Sequence, residues 1–327
     1  MKALVCNAWG LPETLVVEEI PDPGPGPGQF VIRVHAAGLN FPDALIIQNK
    51  YPFTPALPFV PGSECAGVVE SIGPGVEQVK PGDRVIAYTE SGAFAEKLLA
   101  DANALIALPG SLDFATGSAF LLTYGTSYHA LVDRGALRAG ETLLVLGASG
   151  GVGIAAIEIG KALGARVIAA ASSAEKLAIC RAHGADETID YAALDLKRAV
   201  NSLTGDKGAD VIYDPVGGSF TEAAIRSCAW RGRHLVIGFA NGEIPRVPAN
   251  LTLLKGCSLV GVFWGRYVKT EPAAWAQDLD TLFGWLQEDR LNPHIAESYP
   301  LERGAEALAA LLARKVSGKL IIAPVQT

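Results

Sequence analysis

Four apolar residues run into a glycine-rich turn in the stretch Leu143-Leu-Val-Leu-Gly147-Ala-Ser-Gly150-Gly-Val-Gly153, and this stretch decides the fold. The apolar run predicts a buried β-strand, and the residues after the turn predict a helix that begins near Gly150. Glycines at such a junction let the backbone approach a pyrophosphate, which the free N–H groups and the positive end of the helix stabilise. The stretch therefore predicts a dinucleotide-binding turn, the alternative being glycines that serve packing alone.

After this turn, apolar strands alternate with helical segments. The strands are predicted over residues 142–148, 166–171, 187–191, 211–216, 234–238 and 258–263. The helices are predicted over residues 150–163, 174–183, 194–204 and 221–230. Strands joined in this way by crossover helices predict an α/β fold with a doubly wound parallel sheet.

Before the glycine-rich turn, the chain consists of short strands separated by turns rich in proline and glycine, which predicts a small, irregular β-barrel. These strands are predicted over residues 2–6, 15–19, 30–35, 66–72, 83–88 and 93–98. Helices over 273–288 and 304–315 and a last strand over 319–323 are expected to pack back on the barrel. The predicted domains are therefore a discontinuous barrel domain, residues 1–119 and 266–327, and an inserted sheet domain, residues 120–265.

The composition excludes several classes of function. Half of the 327 residues are hydrophobic, so a disordered chain is excluded. The 27 basic and 34 acidic residues give a net charge of −7 without a basic cluster, so neither nucleic acid nor a membrane is an expected partner. No targeting segment or membrane span is predicted. The five cysteines are scattered without metal-ligand spacing, which predicts no metal site and a reducing, cytoplasmic location.

The end of the second predicted sheet strand indicates which dinucleotide binds. An acidic residue at this position would bind the adenosine ribose 2′-hydroxyl and select NAD. Here the strand ends in Ala171-Ser172-Ser173-Ala-Glu-Lys176, with no acid at the tip. Two hydroxyls and a lysine can bind a 2′-phosphate, so NADP(H) is predicted. The alternative for Lys176 is an ordinary exposed helix lysine.

Motifs along the whole chain resemble a known family, the medium-chain dehydrogenase/reductases, and within it the zinc-free NADPH:quinone oxidoreductases, also called zeta-crystallin-like. The segments that carry the resemblance are 37–43, 51–52, 61–69, 80–85, 123–126 and 147–153. Two further segments, 247–255 and 263–267, resemble the subgroup known as quinone-oxidoreductase-like protein 2. The resemblance implies a GroES-like β-barrel catalytic domain and a Rossmann NADP(H)-binding domain.

The chain departs from the zinc-dependent members of this superfamily. Those enzymes carry a cysteine where this chain has Asn40 and a histidine where it has Ser63, and residues 120–123 hold no cysteine. Zinc needs three or four nitrogen or sulfur ligands. Without a Lewis acid to stabilise an alkoxide, the expected reaction is hydride transfer to an acceptor that is already electrophilic, such as a quinone or an activated alkene.

The resemblance also implies roles for single residues. Asn40 is expected to line the nicotinamide and substrate side and is a catalytic candidate, the alternative being an asparagine that caps a turn. Tyr51 is the second catalytic candidate, as a hydrogen-bond donor to the acceptor, with a packing tyrosine as the alternative. Asp43 matches a structural position. Trp264, Tyr267 and Phe53 are expected to line the pocket or, alternatively, to be core aromatics.

The cofactor-binding candidates fall into three groups according to the part of NADPH that they would meet. The pyrophosphate group is Thr126, Ser149, Gly150, Gly151 and Val152. The adenosine group is Ser172, Ser173, Lys176 and Tyr191. The nicotinamide group is Asn40, Gly238, Phe239, Ala240, Val262, Phe263 and Trp264. Lys319 resembles a family position near the cofactor, with a solvated surface lysine as the alternative.

Three functions are compatible with these residues. The first is an NADPH-dependent quinone oxidoreductase. The second is an alkene reductase that acts on enones, enals, nitroalkenes or enoyl thioesters with the same hydride geometry. The third, of a different class, is a non-catalytic NADPH-binding protein with a structural or RNA-binding role. The last sheet strand, 258–263, is apolar and predicts a homodimer formed through the edge of the sheet.

Overall fold

The computed structural model describes residues 1–324 and divides the chain into two compact units. One unit is Met1–Leu122 together with the chain from Ile295 onward, and the other is Thr123–His294. The strands are β1 Lys2–Val5, β2 Val16–Glu19, β3 Gln29–Gly38, β4 Glu64–Ile72, β5 Arg84–Tyr88, β6 Lys97–Asp101, β7 Leu105–Ala107, β8 Thr142–Leu146, β9 Arg166–Ala171, β10 Glu187–Asp190, β11 Ala209–Asp214, β12 Cys228–Val236, β13 Ser258–Gly261, β14 Ile295–Pro300 and β15 Lys319–Ala323.

The α-helices alternate with these strands mainly in the second unit. They are α1 Phe41–Ile46, α2 Phe114–Ser118, α3 Leu121–Tyr128, α4 Gly151–Ala162, α5 Ala174–Ala182, α6 Leu196–Thr204, α7 Ser219–Arg226, α8 Asn250–Lys255, α9 Trp264–Thr270, α10 Pro272–Gln287 and α11 Gly304–Leu312. Short 3₁₀ turns cover Pro12–Thr14, Ala102–Ala104 and Leu301–Arg303, and a π-helix covers His129–Arg134. None of the helices in residues 1–324 is long and apolar enough to cross a membrane.

The first unit is built on a mixed sheet of seven strands in the order β14-β15-β3-β4-β5-β7, with β6 also paired to β3. Alternate residues of β3, namely Phe30, Ile32 and Val34, are buried in one hydrophobic core. The predicted strand over 93–98 is wrong by several residues, because β6 begins at Lys97. Ala93 and Phe94 are apolar because they fill the core from a connecting segment, not because they belong to a strand.

The second unit confirms the predicted doubly wound sheet. Its six strands are all parallel, in the order β10-β9-β8-β11-β12-β13. The apolar run Leu143–Leu146 is completely buried in the middle of this sheet. The direction of winding reverses between β8 and β11, and dinucleotides bind at such a switch point, outside the carboxyl ends of the strands.

Two boundaries within the second unit differ from the prediction. The helix predicted over 221–230 ends at Arg226, and β12 begins at Cys228 instead of residue 234. The stretch Arg231-Gly-Arg233 hides this strand in the sequence, and Arg231 interrupts it with a φ of 64°. Polar strand residues that are not buried lack the alternation on which strand prediction depends.

Residues 266–294 belong to the second unit, although the sequence assigned them to the barrel domain. The ring of Trp275 packs edge-on against Trp264, with centroids 5.3 Å apart. The Tyr267 hydroxyl donates to Asp278 Oδ2 at 2.7 Å. The first boundary, predicted after residue 119, falls after Leu122. Amphipathic periodicity identifies a helix but not the core that it covers.

Candidate active site

The glycine-rich turn between β8 and α4 has the geometry of a phosphate cradle. Gly147 has a φ of +56°, and a Cβ at this position would lie 2.8 Å from Val216 Cγ2. A Cβ at Gly153 would lie 2.6 Å from two backbone carbonyl oxygens of the turn. Gly150 is the N-cap of α4, and its own N–H donates to the Gly147 oxygen at 3.0 Å. The N–H groups of Gly151 and Val152, in the first turn of the helix, are therefore the better anion donors.

Helix α3 brings Thr126 to the start of α4. The next residue, Ser127, donates from Oγ to the carbonyl oxygen of Val152 at 3.0 Å. Ser127 Oγ also lies 2.9 Å from the hydroxyl of Tyr213, which is completely buried. Thr126 itself is half-buried, and Ser149 is buried. The structure thus brings most of the predicted pyrophosphate group to one end of the central strand.

The predicted adenosine group lies at the carboxyl ends of β9 and β10. Ser173 caps α5 by accepting the N–H of Lys176 at 3.3 Å, and the Lys176 ammonium lies 3.5 Å from Ser172 Oγ. Tyr191 follows β10, and its N–H donates to Ala171 at 3.1 Å. Its ring lies 4.7 Å from that of Phe220. Two hydroxyls and an ammonium group therefore lie together at the carboxyl end of β9.

The members of the predicted nicotinamide group lie in different parts of the structure. Gly238, Phe239 and Ala240 follow β12, and Val262 follows β13 with its N–H bonded to the oxygen of Val236 at 3.1 Å. The Phe263 side chain is 56 % exposed. Trp264 and Tyr267 are buried, as their alternative interpretation as core aromatics predicts.

The first unit contains a network of buried polar side chains around the N-terminus of α1. Asn40 is the N-cap, and its N–H donates to Asp43 Oδ2 at 2.7 Å. Ser63 Oγ donates to Asp43 Oδ1 at 3.2 Å. Glu64 and Lys319 complete the network, which we call the Asn40 network, and all five side chains are buried. Its members come from three distant parts of the sequence.

The side-chain amide of Asn40 is held by this network on every side. Its oxygen accepts from Lys319 Nζ at 2.6 Å, and its nitrogen lies 3.1 Å from Glu64 Oε2 and 3.3 Å from the Gly38 oxygen. Both amide N–H groups therefore face acceptors of the protein itself. The amide is thus engaged within the protein, and the catalytic role of Asn40 stays a prediction.

Lys319 lies in the interior, so the alternative of a solvated surface lysine is wrong. Its side chain is 5 % exposed, and its ammonium donates to the Leu39 oxygen at 2.8 Å. The same ammonium lies 3.7 Å from Glu64 Oε2, and Glu64 Oε1 accepts the N–H of Leu122 at 3.3 Å. A buried charge that is surrounded in this way needs its partners, because none of them can be replaced by water.

Burial controls the protonation of the network. It raises the pKa of Asp43 to about 7, although the Asn40 N–H and the Lys319 charge oppose the shift. It also raises the pKa of Glu64, against the attraction of Lys319, and lowers the pKa of Lys319, against the attraction of Glu64. The raised pKa of Asp43 therefore comes mainly from its burial, and the charge of Glu64 adds to it.

Two tyrosines lie close to the acidic side of this network. Tyr51 is half-buried and packs on the hydrophobic core of the first unit. Burial raises the pKa of its phenol, and the charge of Asp43 raises it further. Tyr88, at the end of β5, is half-buried, and burial together with the charges of Tyr51, Glu64 and Asp43 raises the pKa of its phenol. Both phenols stay protonated at neutral pH and can act as donors. Tyr88 is not among the residues predicted from the sequence, where only the alternation of β5 could have indicated it.

A zinc ion does not fit the residues of the Asn40 network. The amide of Asn40 and the hydroxyl of Ser63 are not ligand types of zinc, and the Lys319 ammonium already lies beside Asn40 and Glu64. Burial raises the pKa of the neighbouring Cys65 thiol to about 12, which disfavours a thiolate. Within the described part of the chain, no group of three or more His, Cys, Asp or Glu side chains is arranged to hold a metal ion.

Comparisons with known proteins identify the family. Residues 26–110 match the family model described as alcohol dehydrogenase GroES-like domain, and residues 151–283 match the one described as zinc-binding dehydrogenase. The quinone oxidoreductase-like protein 2 homolog of Nematostella vectensis is 38 % identical over 325 residues, 98 % of this chain and 88 % of the relative. The chain belongs to the medium-chain dehydrogenase/reductase family, in its quinone oxidoreductase branch. The predicted resemblance is confirmed.

Other members of this branch are similar to this chain over nearly its full length. The human protein named quinone oxidoreductase is 34 % identical over 327 residues, 98 % of this chain and 97 % of the relative. The crystal structure of Escherichia coli quinone oxidoreductase complexed with NADPH is similar with a TM-score of 0.94 at 28 % identity, covering 99 % of this chain and 100 % of the other. The Pseudomonas syringae quinone oxidoreductase structure has a TM-score of 0.92 at 34 % identity, covering 99 % of both chains. The GroES-like and Rossmann-type folds are thus confirmed for this member of the family.

Proposed function

We propose that this protein transfers a hydride from NADPH to a quinone without the help of zinc. The names of its relatives and the NADPH complex of a similar structure support the broader statement, that the chain is an NADPH-dependent oxidoreductase. The proposal of zinc-independent hydride transfer to a quinone is carried by one observation, the Lys319 ammonium that lies 2.6 Å from Asn40 Oδ1. A cation of the protein itself lies among the residues that would otherwise surround a metal.

The second unit supplies the groups that would hold NADPH. The N–H groups of Gly151 and Val152 would bind the pyrophosphate, because the first turn of α4 leaves them without helical partners. Ser172, Ser173 and Lys176 would bind the 2′-phosphate and select NADPH over NADH. When bound, NADPH supplies the hydride at its nicotinamide ring.

The first unit supplies hydrogen-bond donors and no Lewis acid. An oxygen that gains negative charge during reduction needs a donor that keeps its proton. The phenol of Tyr51 fulfils this condition, because burial and the charge of Asp43 raise its pKa. Reduction of a quinone delocalises the charge over a ring, so a hydrogen-bond donor of this kind can support it without a Lewis acid. The chemistry of the donors therefore favours an activated acceptor.

A homodimer through the edge of the parallel sheet is part of this proposal. Strand β13 is one of the two edge strands of this sheet, and Leu259 within it is 41 % exposed. Other apolar side chains of the second unit are also exposed, among them Trp230 at 74 %, Leu253 at 79 % and Phe263 at 56 %. An apolar edge strand invites a partner strand, and a second copy of the chain provides one in a closed assembly.

A cytoplasmic location is also proposed, because the thiols support a reducing compartment. Within the described residues the cysteines are free, and all except Cys257 are buried. Proteins of oxidising compartments usually pair such cysteines in disulfides. Fractionation of cells that express the protein tests this point directly, and recovery with a secreted or periplasmic marker would contradict it.

One assay tests the proposed activity. NADPH oxidation is followed at 340 nm with 1,4-benzoquinone, 9,10-phenanthrenequinone, an enone and crotonyl-CoA as acceptors, and repeated with NADH. We expect turnover with the quinones, preference for NADPH, and full activity after prolonged dialysis against a chelator. Turnover of the enone or the thioester alone would assign the protein to the alkene reductases. Tight NADPH binding without turnover of any acceptor would assign it to the non-catalytic class, and loss of activity that zinc restores would overturn the metal-free mechanism.

A further inference from the structure

Asp214 is a buried carboxylate that none of the roles above uses. It is the last residue of β11, next to the point where the sheet reverses its winding, and it is 3 % exposed. Its Oδ1 accepts the N–H groups of Val216 and Gly217, both at 2.9 Å. Its Oδ2 accepts the Thr221 hydroxyl at 2.8 Å and His234 Nε2 at 3.1 Å. Four donors thus fold the chain after β11 around one carboxylate.

These bonds hold Asp214 in its charged form. Burial would raise its pKa, but the hydrogen bonds from His234, Gly217 and Thr221 and the attraction of His234 outweigh burial and lower it. Charge-assisted hydrogen bonds are about twice as strong as neutral ones. The loop from Pro215 to Gly218 is therefore fixed firmly, although Gly217 and Gly218 have positive φ angles of 69° and 60°.

The fixed loop in turn holds the segment after β12. The N–H of Ala240 donates to the Pro215 oxygen at 3.0 Å, and that of Asn241 donates to the Val216 oxygen at 2.7 Å. The N–H of Gly218 donates back to the Glu243 oxygen at 3.1 Å. These bonds join the two loops along their length, so the position of residues 238–240 depends on the loop that Asp214 organises.

The same loop contacts the glycine-rich turn. Val216 occupies the space beside Gly147, where a Cβ would lie 2.8 Å from Val216 Cγ2. The adenosine group, Ser172 to Lys176, lies on the opposite side of β8, at β9. Because a dinucleotide bound at the switch point extends to both sides of it, the half that does not meet β9 must meet the loops after β11 and β12.

We propose that Asp214 is a positioning residue for the nicotinamide half of the cofactor. It acts through the loop 215–218 on residues 238–240 and does not itself touch the cofactor. This inference rests on the proposed function, because it presumes that NADPH binds at the switch point. Asp214 is thereby expected to affect the binding of only the nicotinamide half of the cofactor.

Asp214→Asn tests the proposal, because the new amide cannot satisfy all four donors. If its oxygen serves the loop, its NH₂ group faces His234 Nε2, and the ring proton must move to Nδ1. In the described structure that Nδ1 is buried without a hydrogen-bond partner. If the amide turns over, its NH₂ group faces the N–H groups of Val216 and Gly217. Either arrangement weakens the loop without changing the volume of the side chain.

The experiment measures two dissociation constants by calorimetry, those of NADPH and of adenosine 2′,5′-bisphosphate, which carries only the adenosine half. Because about 1.4 kcal/mol corresponds to a factor of ten in affinity, the loss of charge assistance at this loop is expected to weaken NADPH about tenfold. The binding of the bisphosphate should change less than twofold. Asp210→Asn is the matched control, since Asp210 lies on the same strand and accepts the Thr142 N–H at the opposite end of the sheet.

The outcomes are distinct. Unchanged NADPH affinity in Asp214→Asn would overturn the proposal, and so would an equal loss for both ligands, which indicates a general disturbance of the sheet. If the variant does not fold, Thr221→Val, which removes one of the four donors, must show the same selective loss at smaller size, and equal affinities there would also overturn the proposal. Failure of the wild-type protein to bind NADPH would instead contradict the proposed function.

Discussion

The ammonium of Lys319 lies 2.6 Å from the side-chain oxygen of Asn40, a residue 279 positions earlier in the chain. This bond joins the last described strand to the N-cap of α1. It gives the amide of Asn40 a single orientation, with its nitrogen toward Glu64. The contact makes the Asn40 network a unit whose charges depend on each other, and two predictions test that dependence.

Replacement of Lys319 by Met should destabilise the protein strongly. The Glu64 carboxylate is 0 % exposed and would lose its cationic partner, and breaking a buried ion pair from one side costs about 3–5 kcal/mol. Urea denaturation followed by circular dichroism measures the free energy of unfolding. Lys80→Met, at an exposed lysine of the same unit, should change it by less than about 0.5 kcal/mol.

A second substitution separates lost charge from lost packing. Lys319→Met combined with Glu64→Gln removes both charges and should recover a large part of the lost stability. If the double variant is as unstable as the single one, the ion pair does not explain the loss. Packing of the lysine stem would then be the dominant contribution.

Asp43 should make the stability of the protein depend on pH. Its pKa rises from 3.8 to about 7 on folding, so the folded state holds this proton more tightly than the unfolded state does. The contribution of Asp43 is therefore most favourable below the unfolded pKa and is lost as the pH rises through the folded pKa. Asp43→Asn imitates the protonated acid. The free energy of unfolding of Asp43→Asn minus that of wild type should therefore be roughly 2 kcal/mol larger at pH 8 than at pH 5.

Thermal unfolding of both proteins between pH 5 and pH 8 measures this effect. Glu77→Gln, at an exposed carboxylate of the same unit, serves as the control and should follow the wild-type profile. A constant difference between Asp43→Asn and wild type over the whole range would show that Asp43 does not titrate in this window.

Lys176→Ala should reduce affinity for NADPH but not for NADH. The Lys176 ammonium, 3.5 Å from Ser172 Oγ, is expected to pair with the 2′-phosphate that only NADPH carries. One charge-assisted contact corresponds to a rise in the KM for NADPH of about tenfold. Steady-state kinetics with both cofactors measures it, with Lys197→Ala on exposed α6 as the control. An equal effect on the two KM values would remove Lys176 from the 2′-phosphate site.

Leu259→Lys should prevent association of the protein. A lysine in the edge strand β13 carries a charge into the proposed dimer interface, which is the device by which natural edge strands avoid pairing. Light scattering coupled to gel filtration should give twice the chain mass for wild type and the chain mass for the variant. A wild-type protein that elutes as a monomer, or a variant that remains a dimer, would contradict assembly through this edge.

Local patterns were enough to predict the doubly wound sheet. The apolar run Leu143–Leu146 and the glycines after it dictate a buried strand, a tight turn and a helix, because each depends on residues close in sequence. Hydroxyls at the end of β9 were predictable for the same reason. Prediction failed where polar residues interrupt a strand, as Arg231 and Arg233 do in β12, and where an apolar pair such as Ala93 and Phe94 packs without forming a strand.

By itself, the sequence determined the family, the two folds and the chemistry of the turn that is expected to hold a dinucleotide. Only the tertiary structure decided that Lys319 is buried against Asn40 and Glu64, and that Asp214 gathers donors from a loop, a helix and a strand. A side chain's burial and partners depend on residues far away in the chain, and no local pattern records them. For the same reason, only the structure could show that the amide of Asn40 is already held by the protein.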